Sequence, residues 1–496
     1  MKVLGGMLLS LVMVSPLRAE PMFEDMSSRL PTHVYSGGWE HFVGGGVAVF
    51  DCNGDALPDV FAAGGETHAK LLRNMGDFTF ADAPIPSLTQ TTGAYPIDMD
   101  ADGHVDLFVL RAGSNVVLKG DGNCGFVDAT QVLGIKPDTR WSTAFTAWWE
   151  EGDVRPTLAI GNYVDRDDPD GPFEACDVNT ILRPVGQRYE AEVLSPGYCA
   201  LSILASKDAR GRTSLRLSND RHYYVKQGHE QMWDIKDRRF LDAADGWQNV
   251  SLWGMGIASR DLNADGFDDV MLTSMGDQLL QLSQPDGTYV AADYSIGTYA
   301  QRPHIGDDGR PSTGWHAEFG DIDNDGRADL FIAKGNVDQM PGMAMDDPNN
   351  LLMQRENGTF TEAAATAGIA TTARSRGAAL ADFDNDGRLD LIVVNRRAPL
   401  ELYRNVTPQT GHWINLSLRQ DDGNRDAIGA SIIVQTPQGR QVIQNTIGGG
   451  HAGGQLLPHH FGLGDQTEAL VTVTWPDGTT SSAQYRAGQS VEMIKP

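Results

Sequence analysis

Short apolar segments recur along the chain, and each follows a run of acidic residues. They are four residues long and rich in β-branched and aromatic side chains, which is typical of strands rather than helices. A glycine and another short strand precede each acidic run, and two further strands follow, the last marked by an aromatic residue and an acid. Each unit is therefore predicted to hold four strands. The apolar segments are 60–63, 107–110, 270–273, 330–333 and 391–394.

The acidic runs share one pattern, with oxygen-bearing side chains at positions 1, 3, 5 and 9. Position 6 is glycine in four of the five runs, where it permits a sharp reversal, and is Ala56 in the first. The five sets of predicted ligands are Asp51, Asn53, Asp55 and Asp59; Asp98, Asp100, Asp102 and Asp106; Asp261, Asn263, Asp265 and Asp269; Asp321, Asp323, Asp325 and Asp329; and Asp382, Asp384, Asp386 and Asp390.

Carboxylates crowded into one turn repel each other unless a hard cation lies among them, so the pattern predicts calcium, with up to five ions. An EF-hand would need a glutamate at position 12. That position is apolar in all five runs, which excludes an EF-hand and favours loops between strands. Loop one is the weakest because Ala56 replaces the glycine. The residues at position 12 are Ala62, Val109, Leu272, Ile332 and Val393.

The spacing of the loops predicts seven repeats. They start at residues 51, 98, 261, 321 and 382, and the gap of 163 residues leaves room for two more units, which align at Trp149 and Ser206. These two units lack most of the ligands and are expected to keep the hairpin without the metal. Seven four-stranded units predict an all-β fold with a seven-bladed β-propeller over residues 20–408. The segment Phe23–Asp25 is expected to supply the last outer strand and close the ring.

Residues 409–496 show short alternating strands separated by turn residues, which predicts a small antiparallel, β-sandwich-like domain. Trp475-Pro-Asp-Gly478 is expected to form a hairpin turn anchored by its tryptophan.

The acidic repeat units and the C-terminal segment each resemble a known family. The glycine, strand and DxDxDG units are similar to FG-GAP/VCBS repeats of the integrin-α type, whose loops bind calcium, and this implies the same role for the matching aspartates. The C-terminal motifs resemble the ASPIC/UnbV domain that accompanies FG-GAP propellers in secreted proteins of the cartilage acidic protein type. They are Asn424-Arg-Asp-Ala-Ile-Gly-Ala430, Gly448-Gly-Gly-His-Ala-Gly-Gly-Gln455, His460-Phe-Gly-Leu-Gly464 and Trp475-Pro-Asp-Gly478. The resemblance implies no enzymatic activity.

The 496 residues exceed what one compact core holds, and the net charge of −27 excludes a nucleic-acid or anionic-membrane partner that needs a basic face. Residues 1–19 are predicted to be a signal peptide, and no later segment is apolar enough to span a membrane. We therefore expect a secreted, extracellular or periplasmic protein. Its four cysteines predict two disulfides, with Cys176–Cys199 preferred and Cys52–Cys124 remaining.

No catalytic or organic-cofactor motif is present, so a binding or adhesion scaffold for an extracellular protein or glycan is favoured over an enzyme. The alternative is a polysaccharide lyase or hydrolase that uses one propeller face. Packing within the blades is the simpler interpretation of its candidate residues, which lie on or near the predicted innermost strands, with unit six the first place to look. They are Trp141, Trp148, Trp149, Trp315, His316 and Glu318. His451, His459 and His460 fit no zinc spacing and are interpreted as structural.

Overall fold

The structure is a computed structural model that describes residues 20–220, 228–299, 309–421 and 423–496. The predicted signal peptide, residues 1–19, lies outside the described residues. In the described part, helices are confined to single turns: an α-helix over Ala364–Ala367 and 3-10 turns over Ser27–Arg29, Trp39–His41, Ala243–Asp245 and Tyr294–Ile296. None of these helices has the length and apolarity needed to cross a bilayer.

Seven antiparallel sheets of four blade strands make up most of the described chain, and in six of them the four strands are consecutive. Strand β1 (Phe23–Asp25) comes first. Sheet one contains β2 (Val47–Phe50), β3 (Asp59–Ala62), β4 (Lys70–Asn74) and β5 (Phe80–Ala83); sheet two contains β6 (Thr91–Ile97), β7 (Asp106–Arg111), β8 (Val116–Gly120) and β9 (Phe126–Asp128). Sheet three contains β10 (Ser142–Trp148), β11 (Thr157–Asn162), β12 (Asn179–Val185) and β13 (Arg188–Leu194); sheet four contains β14 (Ala200–Lys207), β15 (Thr213–Asn219), β16 (Gln231–Asp234) and β17 (Arg239–Phe240).

The remaining sheets repeat this arrangement. Sheet five contains β18 (Gly254–Arg260), β19 (Asp269–Ser274), β20 (Leu279–Ser283) and β21 (Tyr289–Ala291); sheet six contains β22 (Gly314–Gly320), β23 (Asp329–Lys334), β24 (Asn350–Gln354) and β25 (Phe360–Glu362); sheet seven contains β26 (Ser375–Ala381), β27 (Asp390–Asn395) and β28 (Glu401–Asn405), with β1 as its fourth strand. The first strand of each sheet contacts the first strand of the next, and β26 contacts β2. The sheets therefore form a closed ring, which is a β-propeller.

Both ends of the propeller sequence meet in sheet seven. Strand β1 pairs antiparallel with β28, with Phe23 opposite Asn405. Phe23 is buried in the core between sheets six and seven together with Tyr403. The N-terminal strand therefore supplies the outer strand of the last sheet, which joins the two ends by backbone hydrogen bonds.

Adjacent sheets are held together by apolar cores and by two disulfides. Phe108 of sheet two stacks on Phe145 of sheet three with ring centroids 4.6 Å apart. Cys52 is bonded to Cys124, which joins sheets one and two, and Cys176 is bonded to Cys199, which joins sheets three and four. Both predicted disulfides are present.

The C-terminal residues form two sheets that enclose a separate apolar core around the buried Trp475. The first sheet contains β29 (His412–Arg419), β33 (His459–Gly464) and β36 (Gln489–Ile494); the second contains β30 (Ser431–Thr436), β31 (Gly439–Gln444), β34 (Glu468–Thr474) and β35 (Thr480–Arg486). One pair departs from the antiparallel expectation, because β36 crosses from the second sheet to the first and runs parallel to β29. The Trp475 turn joins β34 to β35, as predicted.

The segment between β31 and β33 leaves this domain and enters the centre of the propeller. Ile447, Gly448, Gly450 and Gly453 form β-bridges with the first strands of sheets three, four, five and two. Strand β32 (Gln455–Leu456) then pairs parallel with β2 of sheet one. Residues 447–454, here called the plug, therefore fill the axis of the ring and bind five of its sheets through backbone groups.

Glycines on the plug and on the first strands allow the two backbones to touch. A Cβ atom on Gly93 would lie 1.5 Å from the carbonyl oxygen of Ala452, and one on Gly46 would lie 1.9 Å from the same atom. Gly46 and Gly93 are two of the glycines that precede the acidic runs in the sequence. Their role is therefore close approach to the plug.

We predict that Gly93→Ala lowers the free energy of unfolding by about 1–3 kcal/mol or more, because the added methyl group collides with backbone that cannot move independently. Thermal or denaturant unfolding measures this loss. Gly342→Ala is the matched control, since a Cβ at Gly342 has no neighbour within 4 Å. Equal stability of the two variants would contradict the close approach at Gly93.

Candidate metal centres

All five predicted metal loops connect the first strand of a sheet to its second strand, and they share one internal geometry. The carboxylate at position 1 accepts a hydrogen bond from the backbone N–H of position 6, at 2.7–2.9 Å. The carboxylate at position 5 accepts one from the N–H of position 7, at 2.9–3.0 Å. These bonds wrap the loop around its own acidic side chains.

The wrapping requires left-handed backbone at positions 4 and 6. Position 6 has φ between 84° and 97° in the four loops where it is glycine. Ala56 takes the same place in loop one at φ 66°, a conformation that costs a residue with a Cβ about 1–2 kcal/mol. Loop one therefore keeps the fold of the others despite its departure from the pattern.

Three loops bring three carboxylates to a common centre, with one oxygen of each within 4.8 Å of the others. The sets are Asp98, Asp100 and Asp106 in loop two; Asp321, Asp323 and Asp325 in loop six; and Asp382, Asp384 and Asp390 in loop seven. In loop one Asp59 groups instead with Cys52 and Cys124, whose sulfurs are already joined to each other. Loops one and five have an asparagine at position 3 and bring together fewer carboxylates.

The position 9 aspartates form the most regular contact of the five loops. One oxygen accepts a hydrogen bond from the N–H of loop position 2, and the other accepts one from the last N–H of the third strand. In loop seven the donors are Phe383 at 2.9 Å and Asn405 at 2.8 Å. The same pair of bonds is made by Asp59, Asp106, Asp269 and Asp329. These side chains therefore tie the loop to two strands, in addition to facing the acidic centre.

Burial makes the charged form of these carboxyl groups unfavourable. It raises the pKa of Asp59, Asp106 and Asp269 to about 7, against an ordinary value of 3.8, while their backbone hydrogen bonds partly oppose the shift. Burial, followed by repulsion from Asp325 and Asp323, raises the pKa of Asp321 well above its usual range. Each centre thus concentrates negative charge that the protein alone compensates incompletely.

Basic side chains from neighbouring strands reach the rims of the centres. Lys119 pairs with Asp100 and with Asp102, the latter at 2.7 Å, and Arg404 pairs with Asp384 at 2.6 Å. Arg327 pairs with Asp325 in loop six. The sequence pattern did not identify these cations, because they lie outside the loops or at position 7, which is not among the predicted side-chain ligand positions 1, 3, 5 and 9.

Oxygens remain without a hydrogen-bond partner inside two of these centres. Within the described chain, Oδ1 of Asp98, Asp100 and Asp384 is buried and accepts no hydrogen bond. Buried oxygens of this kind carry the cost of lost hydration unless another group binds them. The donor set is made only of oxygens, which is the set that calcium prefers. The residues present therefore fit calcium.

Units three and four keep the predicted hairpin, formed by β10 and β11 in one unit and by β14 and β15 in the other. The loop between β10 and β11 begins at Trp149, and the one between β14 and β15 is held by Asp208, which accepts hydrogen bonds from Arg210 and Arg212 at 2.9 and 3.0 Å. In the described residues of these two loops, three carboxylates do not converge as they do in loops two, six and seven.

The other candidate side chains are occupied in packing. Trp315 is fully buried and donates to the carbonyl of Gly335 at 2.7 Å. Glu318 accepts from Gln455 of β32 at 2.5 Å and from the N–H of Leu380 at 3.1 Å, and lies 3.3 Å from His316. These residues join sheets six and seven to the segment that follows the plug.

Of the three C-terminal histidines, His451 is buried and His459 and His460 are half-buried, and all three are held neutral. Burial lowers the pKa of His451 and His460 to about 3 and that of His459 to about 4. His451 lies in the plug, where its Nδ1 contacts the carbonyl of Met255 and its Nε2 accepts from Gly44, both at 3.2 Å. The structural interpretation of these histidines agrees with their contacts.

Two family models match the chain. The FG-GAP-like repeat matches residues 51–109, 261–332 and 342–393, and the ASPIC and UnbV domain matches residues 420–495. The β-propeller of this chain therefore contains FG-GAP-like repeats. The chain ends in an ASPIC/UnbV domain, as its C-terminal motifs indicated.

Similar proteins are found among curated sequences and solved structures. Cartilage acidic protein 1 is 27% identical over 271 residues in Homo sapiens and 26% over 273 residues in Mus musculus, covering 52% of this chain in both cases and 39% and 40% of those proteins. This chain thus spans about two fifths of the length of the relatives that it matches. Structures of BBS1N in complex with ARL6DN and of YCF48 bound to D1 peptide have TM-scores of 0.46 and 0.42 at 11% and 9% identity, covering 78% and 79% of this chain and 97% and 99% of those chains.

Two substitutions in loop seven distinguish an aspartate that supports the fold from one that is proposed to bind the metal. We predict that Asp390→Asn lowers the free energy of unfolding by about 1–3 kcal/mol with or without calcium, because an amide NH₂ would face a backbone N–H. Asp384→Ala is the matched variant, because alanine removes the position 3 oxygen that asparagine would keep, and Oδ1 of Asp384 accepts no hydrogen bond in the described structure. It should lower stability clearly in calcium and little in chelator. Thermal unfolding in both buffers measures this, and identical responses of the two variants would contradict the assignment.

Proposed function

We propose that this protein is an exported, calcium-binding scaffold whose propeller and ASPIC/UnbV domain together present a binding surface to an extracellular protein or glycan. The observation that carries the calcium part is the set of buried oxygens of Asp98, Asp100 and Asp384 that lack a hydrogen-bond partner in the described chain. Calcium would supply the positive charge that these centres need.

Each loop position would have its own role in binding the ion. The carboxylates at positions 1, 3 and 5 would hold it, with asparagine oxygens at position 3 in loops one and five, and the backbone carbonyl of position 7 would complete the loop's contribution. The position 9 carboxylate would contribute while still bonded to two backbone amides. Lys119 and Arg404 lie on the rim, where they balance charge that the ion leaves over.

Export and a binding role are supported by separate observations. Two disulfides suit an oxidising compartment. A cavity of about 880 Å³ lies between the loop face of the propeller and the C-terminal domain, and its lining includes Arg260, Glu318, Arg425 and His459. A cleft between two domains that exposes both charge signs is suited to a polar ligand.

Calcium titration of the chelated protein tests the proposal. We expect calorimetry to show binding at up to five sites. The melting temperature should rise by many degrees, because each site contributes about 2.7 kcal/mol of stability when calcium is at 100 times its dissociation constant. Magnesium at the same concentration is the control, since it requires a smaller octahedral site. An unchanged melting temperature with no binding heat would reject calcium binding.

The raised pKa values predict how the calcium-free protein responds to pH. The carboxyl groups with a folded-state pKa of about 7, which include Asp59, Asp106, Asp269 and Asp382, bind protons in the native state that they release in the unfolded state. Native-state protonation stabilises the fold at low pH, and this contribution is lost as pH rises through 7. In chelator, the melting temperature should therefore fall from about pH 4, where the unfolded chain begins to release these protons, to just above about pH 7, and part of this fall lies between about pH 6 and pH 8.

Saturating calcium should remove most of this fall, because the cation takes over the role of the bound protons. The calcium-dependent gain in melting temperature should accordingly be larger at about pH 8 than at about pH 6. A calcium-free protein that becomes more stable over this pH range would contradict the assigned direction.

A further inference from the structure

The C-terminal domain docks on the same propeller face that carries the metal loops. Its contacts are made to the loops' backbone carbonyls rather than to their carboxylates. In loop six, Gly411 donates to the carbonyl of Asp323 at 2.9 Å and Gly464 donates to that of Asn324 at 2.8 Å. His460 contacts Oδ1 of Asn324 at 2.7 Å. Loop six thus provides three polar contacts to the domain.

Loops two, five and seven provide further contacts. Arg425 donates to the carbonyl of Gly103 in loop two, and Arg440 donates to that of Ala264 in loop five at 3.0 Å. Gly387 of loop seven lies so close to Trp413 that a Cβ atom would stand 1.8 Å from the indole nitrogen. Four of the five loops therefore form the docking platform.

These contacts depend on the wrapped shape of each loop. The carbonyls of Ala264 and Asn324 belong to position 4, which has φ of 59° and 57°, and that of Gly103 belongs to position 6, with φ of 86°. Such left-handed residues keep their orientation only while the loop stays closed around its carboxylates. The mutual repulsion of those carboxylates opposes closure, and a bound cation removes that repulsion.

The face also has contacts that involve no metal loop. The backbone N–H of Lys207 donates to the side-chain oxygen of Gln444, and the side-chain NH₂ of Gln444 donates to the carbonyl of Lys207, both at 2.8 Å. Nζ of Lys207 also donates to the carbonyl of Gly429 at 3.0 Å. These bonds hold the domain beside sheet four, close to where the chain turns into the plug. The domain is thus attached in two ways, only one of which uses the metal loops.

From this arrangement we infer that calcium binding and interdomain docking are coupled: the occupied loops clamp the ASPIC/UnbV domain onto the propeller and keep the plug, residues 447–454, inside the ring. Loss of calcium releases the clamp on loops two, five, six and seven and frees the plug to leave the axis. This inference rests on the proposed calcium binding. Coupling is reciprocal, so undocking weakens calcium binding by the factor that calcium strengthens docking.

Hydrogen exchange of the plug in the full-length protein tests the coupling. The N–H of Gly449 donates to Ile203 at 2.8 Å and that of Gly450 donates to Ile257 at 2.7 Å, so a docked plug is protected. Under conditions where the propeller stays folded, chelation should accelerate exchange in residues 447–454 by about tenfold or more, within the usual range of coupling between sites. Readdition of calcium should restore the protection.

A matched pair of variants separates docking from metal binding. Asn324 and Asn385 both occupy position 4, with φ of 57° and 58°, and glycine replaces either without backbone strain. Asn324 contacts His460 of the C-terminal domain, whereas Asn385 donates to Ala56 of loop one. Asn324→Gly should accelerate plug exchange in saturating calcium and weaken calcium binding at one site several-fold, and Asn385→Gly should leave plug exchange unchanged. Arg440→Ala, at an exposed side chain, is a second docking variant that should act as Asn324→Gly does.

The outcomes distinguish this inference from the proposal beneath it. If calcium binds and stabilises the protein while plug exchange is unaffected by chelation, the coupling is wrong and calcium binding stands. If no calcium binds, both are overturned. Equal plug exchange in Asn324→Gly, Asn385→Gly and the unmodified protein would also overturn the coupling.

Discussion

The position 9 aspartate is the interaction on which the rest of this structure depends. Each of the five copies is buried and accepts hydrogen bonds from two backbone amides, one in the loop and one at the end of the third strand. A carboxylate is used here because it can accept on both oxygens at once and still face a third group. The same side chain therefore fixes the sheet, closes the loop and contributes charge to the acidic centre.

From this contact the larger architecture follows. Closed loops align their backbone carbonyls on one face of the ring, and that aligned face is what the ASPIC/UnbV domain recognises. The domain in turn sends residues 447–454 down the axis, where they and the adjoining strand β32 bridge to five sheets. The ring is thus closed twice, at its outer edge by β1 and at its centre by the plug. A propeller whose axis is filled by backbone has little freedom for its sheets to move independently.

The parts of the fold that could be predicted are those that repeat at a regular spacing in the sequence. Strands repeat with a fixed distance from each acidic run, so the metal loops and the hairpins of units three and four could be located before the structure was known. The plug could not be located in this way. Gly448, Gly449 and Gly450 carry no side-chain pattern, and their backbone partners lie between 193 and 246 residues earlier in the chain. The role of Gly46 and Gly93 was hidden for the same reason, since a close approach is visible only when both backbones are placed. Lys119 was missed because nothing in its strand distinguishes a lysine that faces a metal loop from one that faces solvent.

The acidic and non-acidic units hold the C-terminal domain in different ways. Sheets three and four lack carboxylate centres and hold the C-terminal domain through Lys207 and through the close packing of Gly423 against Val154. The opposite side of the face holds the same domain through loops whose closure is opposed by their own charge. Under the proposed coupling, one side of the interface would be insensitive to cations, and the other side would respond to them. Such a division is what a hinge requires, because a domain held by two equally labile edges would detach completely rather than tilt. Under the same proposal, the absence of ligands in units three and four would keep one edge of the domain attached while the other edge responds to cations.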